Sequence, residues 1–156
     1  MKNFVILFCF LVSLSIEAQT ENKSDCTKVY LIRHAEKDRT DKTNSNPHLN
    51  SLGTKRSLKW KDFFKNINFD IIYSTNYHRT LETIKPFSEN GTELIIYNPS
   101  KIDYNEFVSN NKGKTILVVG HSNTIPTFTN RISNKNLYND IAVSYTHLTL
   151  PTMCVV

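Results

Sequence analysis

Lys28-Val29-Tyr30-Leu31-Ile32, running straight into Arg33-His34, is the stretch from which the fold can be read. Five residues with an apolar, β-branched centre, ended abruptly by charge, make a buried strand. The same pattern recurs at Phe69-Asp70-Ile71-Ile72-Tyr73, at Glu93-Leu94-Ile95-Ile96-Tyr97 and at Thr115-Ile116-Leu117-Val118-Val119. Between these runs lie helical segments. Ser51 to Lys65 places Leu52, Leu58, Phe63 and Phe64 on roughly one face, with Trp60 beside them. Asn76 to Phe87 reads as helix until Pro86 interrupts it, and Tyr104 to Asn111 as a short helix. Ala35 to Asn50, crowded with Lys, Asp, Thr and Asn, has no apolar period and reads as a loop. Strands alternating with helices predict an α/β fold, a three-layer sandwich whose mostly parallel sheet is flanked by helices.

The 156 residues suffice for one domain. Hydrophobic residues at 39% and charged residues at 21% exclude disordered, collagen-like and polytopic membrane classes. A formal net charge of +5 favours anionic ligands without calling for nucleic acid. At the start, Lys2 precedes an uncharged apolar run from Phe4 to Leu14 and then Ser15-Ile16-Glu17-Ala18, the shape of a secretory signal peptide. Residues 1–18 are therefore expected to be cleaved, with 19–27 a linker and export to the periplasm or exterior. The run falls short of the ~20 residues of a membrane span, so no membrane attachment is expected after cleavage. Bulky Phe8 beside Cys9 argues against lipid attachment there. Cys26 and Cys154 are too few for a disulfide framework and are expected to be unpaired.

Chemistry concentrates at three strand ends: Arg33-His34 after the first, Ser74 with Arg79 after the second, and Gly120-His121-Ser122 after the fourth. In open α/β sheets ligands bind outside the carboxyl ends of the strands, so these clusters are expected to meet in one cationic, phosphate-binding pocket. No GxGxxG or Walker loop is present. The five histidines show no i, i+4 pair among themselves and no HExxH, so neither a metal nor another cofactor is expected, and His48 and His78 read as surface residues.

With these motifs in view, LIRHAEK (Leu31 to Lys37), YSTNYHRTLET (Tyr73 to Thr83) and VVGHSN (Val118 to Asn123) resemble, in order, the histidine phosphatase superfamily, the phosphoglycerate-mutase-like fold. The resemblance covers about Lys28 to Arg131, including the helix start at Leu52-Gly53. It implies a phosphatase cleaving a phosphomonoester or phosphoamidate through a phosphohistidine on His34, with Arg33, Arg79 and His121 completing the phosphate pocket and Ser122 and Asn123 at its rim. The substrate would be a phosphorylated small molecule or a phosphoprotein. A phosphohistidine protein phosphatase and a phosphate-binding module without turnover are the alternatives. Relatives take their general acid from a loop carboxylate or from an Asp after the second His; here Ser122 stands at the latter position, leaving Glu36, Asp103 and Glu106 as candidates, while Glu82 reads as a helix-surface residue. The domain is expected over 28–143. Ser144 to Val156 does not resemble the family's returning strand and is similar to translated sequencing-adapter sequence, so residues 144–156 are expected to be foreign to the fold and to leave one sheet edge bare.

Overall fold

The computed structural model describes residues 26–88, 91–142 and the backbone of 153–155. Its first strand, β1, is Thr27–Arg33, followed by helix α1 (Ser51–Phe63), β2 (Ile71–Ser74), α2 (His78–Ser88), β3 (Glu93–Ile96), α3 (Tyr104–Asn110), β4 (Thr115–Gly120), α4 (Thr124–Ser133) and β5 (Met153–Val155). The strands lie in the order β3-β2-β4-β1-β5. The first four run parallel, with Arg33 opposite Gly120, Ser74 opposite Val119 and Ser74 opposite Ile96. This register brings all four carboxyl ends to one edge. The chain leaves β1 toward β2 and leaves β4 the other way, so the crevice between β1 and β4 is the switch point at which such sheets bind ligands.

Alternation along the strands divides the core into two layers. Val29, Leu31, Ile116 and Val118 face Phe107, Ile125, Phe128 and Ile132 of α3 and α4. Ile32, Ile72, Leu117 and Val119 face Phe64, Ile84 and Phe87, from the end of α1 and from α2. The strand residues are at most 1% exposed, and each such side chain contributes about 1.5–3 kcal/mol through burial. The expected α/β sandwich is thus the observed one. α4 lies in a run rich in Thr, Asn and Ser, and its buried face mixes Ile125, Phe128 and Ile132 with Pro126 and Thr129, which obscures it in a pattern that counts apolar side chains.

Four local expectations are corrected. Leu52, Leu58 and Phe63 are 62%, 56% and 67% exposed, and the buried face of α1 is instead Gly53 and Ser57, leading to Phe64 just beyond the helix. Small residues win there because α1 lies against backbone: a Cβ on Gly53 would come within 2.1 Å of the Glu36 carbonyl oxygen. Pro86 sits inside α2 without ending it. A proline withholds an N–H from the carbonyl four residues earlier, that of Glu82, and the Ser57 hydroxyl meets this group at 3.1 Å and Thr83 O at 2.9 Å. Finally, Met153–Val155 pairs antiparallel with Thr27–Val29, so this edge of β1 is covered by three residues of the C-terminal tail. Cys26 is disulfide-bonded, contrary to the expectation of unpaired thiols. The signal peptide, most of the linker and residues 143–152 lie outside the described residues. Among the described residues no helix is long and apolar enough to cross a membrane.

Candidate active site

The parallel register makes the site, because whatever follows each strand must emerge at the same edge. A cavity of about 810 Å³ opens there, lined by Arg33 and His34 after β1, Thr75 to Tyr77 after β2, Tyr97 to Ser100 after β3 and His121 to Thr124 after β4, with Arg79 from α2. Arg33, His34, Arg79, His121 and Ser122 all line this one cavity. The turn after β3, Thr75 and Tyr77 were not singled out from the sequence, although Thr75 follows its strand as directly as His34 does. Lys37 and Arg39 also line the cavity. Their position in a loop without periodicity gave no signal.

His34 is held by its own backbone. Its amide donates to Gly120 O (3.0 Å), tying the ends of β1 and β4 together. The next amide, Ala35, donates to the buried Thr83 hydroxyl (2.9 Å), which itself donates to Arg79 O (2.6 Å). One threonine thus couples the histidine loop to the helix turn bearing Arg79. His34 Nδ1 lies 2.7 Å from Ala35 O, and since a carbonyl can only accept, Nδ1 carries the proton and Nε2 keeps its lone pair. Burial, aided by neighbouring His121 and the cationic Arg79 and Arg33, lowers the His34 pKa to about 3 against the opposing effect of its hydrogen bond to Ala35 O. The ring is neutral throughout the physiological range, with Nε2 unprotonated.

His121 stands edge-on to His34, ring centroids 5.4 Å apart. Its Nε2 is 3.0 Å from Thr75 Oγ1. The Thr80 hydroxyl donates to backbone carbonyls, Thr75 O and Tyr77 O, and Thr75 donates to Thr80 Oγ1 (3.1 Å), so the remaining lone pair of Thr75 accepts the His121 Nε2 proton. Nδ1 is left as the nitrogen that can gain a proton. Burial first, then Arg79, Arg33 and Lys37, lowers its pKa to about 4. His121 is therefore neutral near pH 7. Tyr77 packs edge-on against His121 (5.0 Å) and carries the Arg79 guanidinium 4.3 Å above its face, fixing both. Arg79 donates to Ser45 O at 3.5 Å, while its buried Nε has no hydrogen-bond partner among the described residues. A buried, unspent donor beside an open cavity is a group awaiting an acceptor.

An arriving anion offsets those cations, so it should pull a proton onto His121. We expect sulfate binding at pH 5.5 to be accompanied by proton uptake, measured by calorimetry in two buffers of different ionisation enthalpy. Zero uptake would remove His121 from contact with the anion. The sign for stability follows from the same values. Both folded pKa values lie below the unfolded ~6.5, so the stability the neutral rings carry above that pH is lost as pH falls toward about 4 and about 3.

The carboxylate candidates lie elsewhere. Both Glu36 oxygens accept from Arg56 Nε at 2.8 Å, and Glu36 does not line the cavity. Asp103 caps α3, accepting from Asn105 N (2.9 Å) and Glu106 N (3.0 Å). Asp103 and Glu106 line a separate cavity of about 260 Å³ that shares only Tyr97 and Asn98 with the first. Among the described residues no Asp or Glu lines the cationic cavity.

Residues 29–99 match the model of the histidine phosphatase superfamily (branch 1), a span that holds Arg33, His34 and Arg79. No curated protein matches the chain. Among solved structures, one described as the phosphohistidine phosphatase SixA from Agrobacterium tumefaciens is similar at TM-score 0.56 and 19% identity, covering 68% of this chain and 76% of that one. The protein histidine phosphatase SixA complexed with tungstate gives 0.57 at 12% identity, covering 67% and 76%. Phosphoserine phosphatase from Entamoeba histolytica, in complex with 3-phosphoglyceric acid, gives 0.52 at 22% identity, covering 70% and 81%. At these identities the likeness is one of fold.

Proposed function

We propose that this chain, matched over residues 29–99 to the histidine phosphatase superfamily, is a phosphatase that works through a phosphohistidine on His34. The observation carrying this reading is the neutral His34 ring, its Nδ1 committed to Ala35 O, set in a cavity lined by Arg33, Arg79 and His121. Nε2 attacks phosphorus in line, the bond from phosphorus to the leaving atom breaks, and the phosphoryl group passes to His34. Arg33 and Arg79 hold the equatorial oxygens, and His121, protonated by the bound anion, adds a donor. Water then attacks the phosphohistidine, Nε2 departs with its lone pair, and inorganic phosphate leaves.

The cavity's lack of carboxylates bears on the substrate. An alkoxide leaving group needs a proton in the transition state; no carboxyl group of the described residues lines the cavity to supply one, and protonated His121 is engaged with the phosphoryl oxygens. A phosphoamidate such as phosphohistidine brings its own: with the far ring nitrogen protonated, a neutral imidazole departs. The carboxyl-free lining therefore favours a phosphoamidate, including a phosphohistidine on a partner protein, over an alkyl phosphomonoester. A series of aryl phosphates tests this: kcat should fall steeply with rising leaving-group pKa, and Asp103→Asn and Glu106→Gln should stay within about threefold of the parent, under ~1 kcal/mol. A shallow dependence, or a large loss in either variant, would reveal an acid and overturn this reading. A phosphate-binding module without turnover would release no phenol from any of them. Export is part of the same proposal, through the signal-like residues 1–18, and predicts a mature N-terminus near Gln19.

A further inference from the structure

Outside the cavity, the loop after β1 and the first turn of α2 bring two histidines and a carboxylate together. His78 and Glu82 are four residues apart on α2 and so share a face. His48 reaches them from the loop, its ring stacked on that of His78 with centroids 4.1 Å apart and an interplanar angle of 17°. One nitrogen from each ring and a carboxylate oxygen of Glu82 all lie within 4.8 Å of one another. His48 Nδ1 donates to Glu82 Oε1, and the Leu49 amide donates to Oε2 at 2.7 Å. The Asn46 side chain accepts from the His78 amide at 2.9 Å, so both supporting segments are fixed from behind. The i, i+4 relation that the histidines lack among themselves is present between a histidine and a glutamate.

We propose that His48, His78 and Glu82 bind a divalent transition metal of the zinc class, with water as fourth ligand. The donor set of two imidazoles and one carboxylate, with an open position, suits tetrahedral zinc. Zinc holds such donors at ~2.0–2.2 Å from itself, so the three donor atoms, within 4.8 Å of one another, draw together around it by side-chain rotation. Two of the three groups are solvent-accessible, which supplies the entry path. To ligate through Nδ1, neutral His48 carries its proton on Nε2 instead, and the metal replaces the hydrogen bond to Glu82 Oε1; because a protonated imidazole cannot ligate, affinity should fall at acid pH. The ion staples the loop to α2. That loop carries Lys37 and Arg39 into the active-site cavity and Ser45 onto Arg79, so the metal would act on substrate affinity from outside the chemistry. The site stands independently of the phosphatase reading.

The test is a zinc titration of the full chain against a chromophoric chelator, with cobalt substituted to read coordination from its visible spectrum. One equivalent is expected, with an intense four-coordinate cobalt spectrum and a raised melting temperature. H48Q/H78Q should lose at least tenfold in affinity together with the cobalt spectrum and the thermal shift, and Glu82→Gln should weaken binding in the same direction. A parent chain that takes up no zinc, or zinc that survives unchanged in H48Q/H78Q, overturns the proposal. EDTA should lower the melting temperature and leave kcat at saturating substrate unchanged, since no step of the proposed chemistry uses the ion.

Discussion

Replacing His34 with alanine is expected to abolish turnover, with a loss of roughly 10⁴-fold or more in kcat, equivalent to at least ~5 kcal/mol of barrier. The size follows from the role. Without Nε2 there is no covalent route, and water would have to attack an anion within a cavity that offers no carboxylate to activate it. The fold should survive, because His34 is only partly buried and the hydrogen bonds anchoring its segment, His34 N to Gly120 O and Ala35 N to Thr83, use backbone amides that alanine retains. In the parent, rapid acid-sensitive labelling at His34 should precede phosphate release. Persistence of parental turnover in the variant, with no labelled His34, would falsify the nucleophile assignment.

Arg79→Ala is expected to cost several kcal/mol in kcat/KM, of the order of 10²–10⁴-fold, because it deletes a charge-assisted donor from a partly desolvated site. Burial lowers the Arg79 pKa, yet a guanidinium so far above neutrality stays charged. Its side chain is aimed by Tyr77 beneath it and by Ser45 O, so the buried Nε donor costs little further ordering when an oxyanion arrives. Arg79→Lys should recover only part of the loss, since an ammonium cannot present two parallel donors. A kcat/KM within about threefold of the parent, under ~1 kcal/mol, would take Arg79 out of the pocket.

How much of this was legible in the chain depended on the range of each signal. Strand runs such as Lys28 to Ile32 and Thr115 to Val119 are local and buried on both faces, so composition alone marks them. Parallel alternation then requires the residues after each strand to share an edge, so the sequence alone places Arg33, His34, Arg79 and His121 at one edge of the sheet. The buried face of α1 could not be read this way. Hydrophobicity pointed to Leu52, Leu58 and Phe63, whereas the helix packs through Gly53 and Ser57 because its neighbours are the Glu36 carbonyl and the carbonyls around Pro86. A glycine's close approach is invisible in a pattern that counts apolar side chains.

The sequence by itself determined the α/β alternation, the cationic and histidine side chains that follow the strand ends and the order in which they come, because those depend on periodicity and on what stands next to a strand end. Tertiary structure alone decided which of the charged groups share a space. It paired Glu36 with Arg56, spent Asp103 on capping α3, and brought Lys37 and Arg39 from a featureless loop to the cavity. It also fixed the proton on His34 Nδ1 by placing Ala35 O against it, and stacked His48 on His78 across thirty residues of chain. Carboxylates, lysines and histidines look alike along a sequence. Their protonation, their partners and hence their chemistry depend on desolvation and on neighbours within a few ångströms, and folding sets those distances.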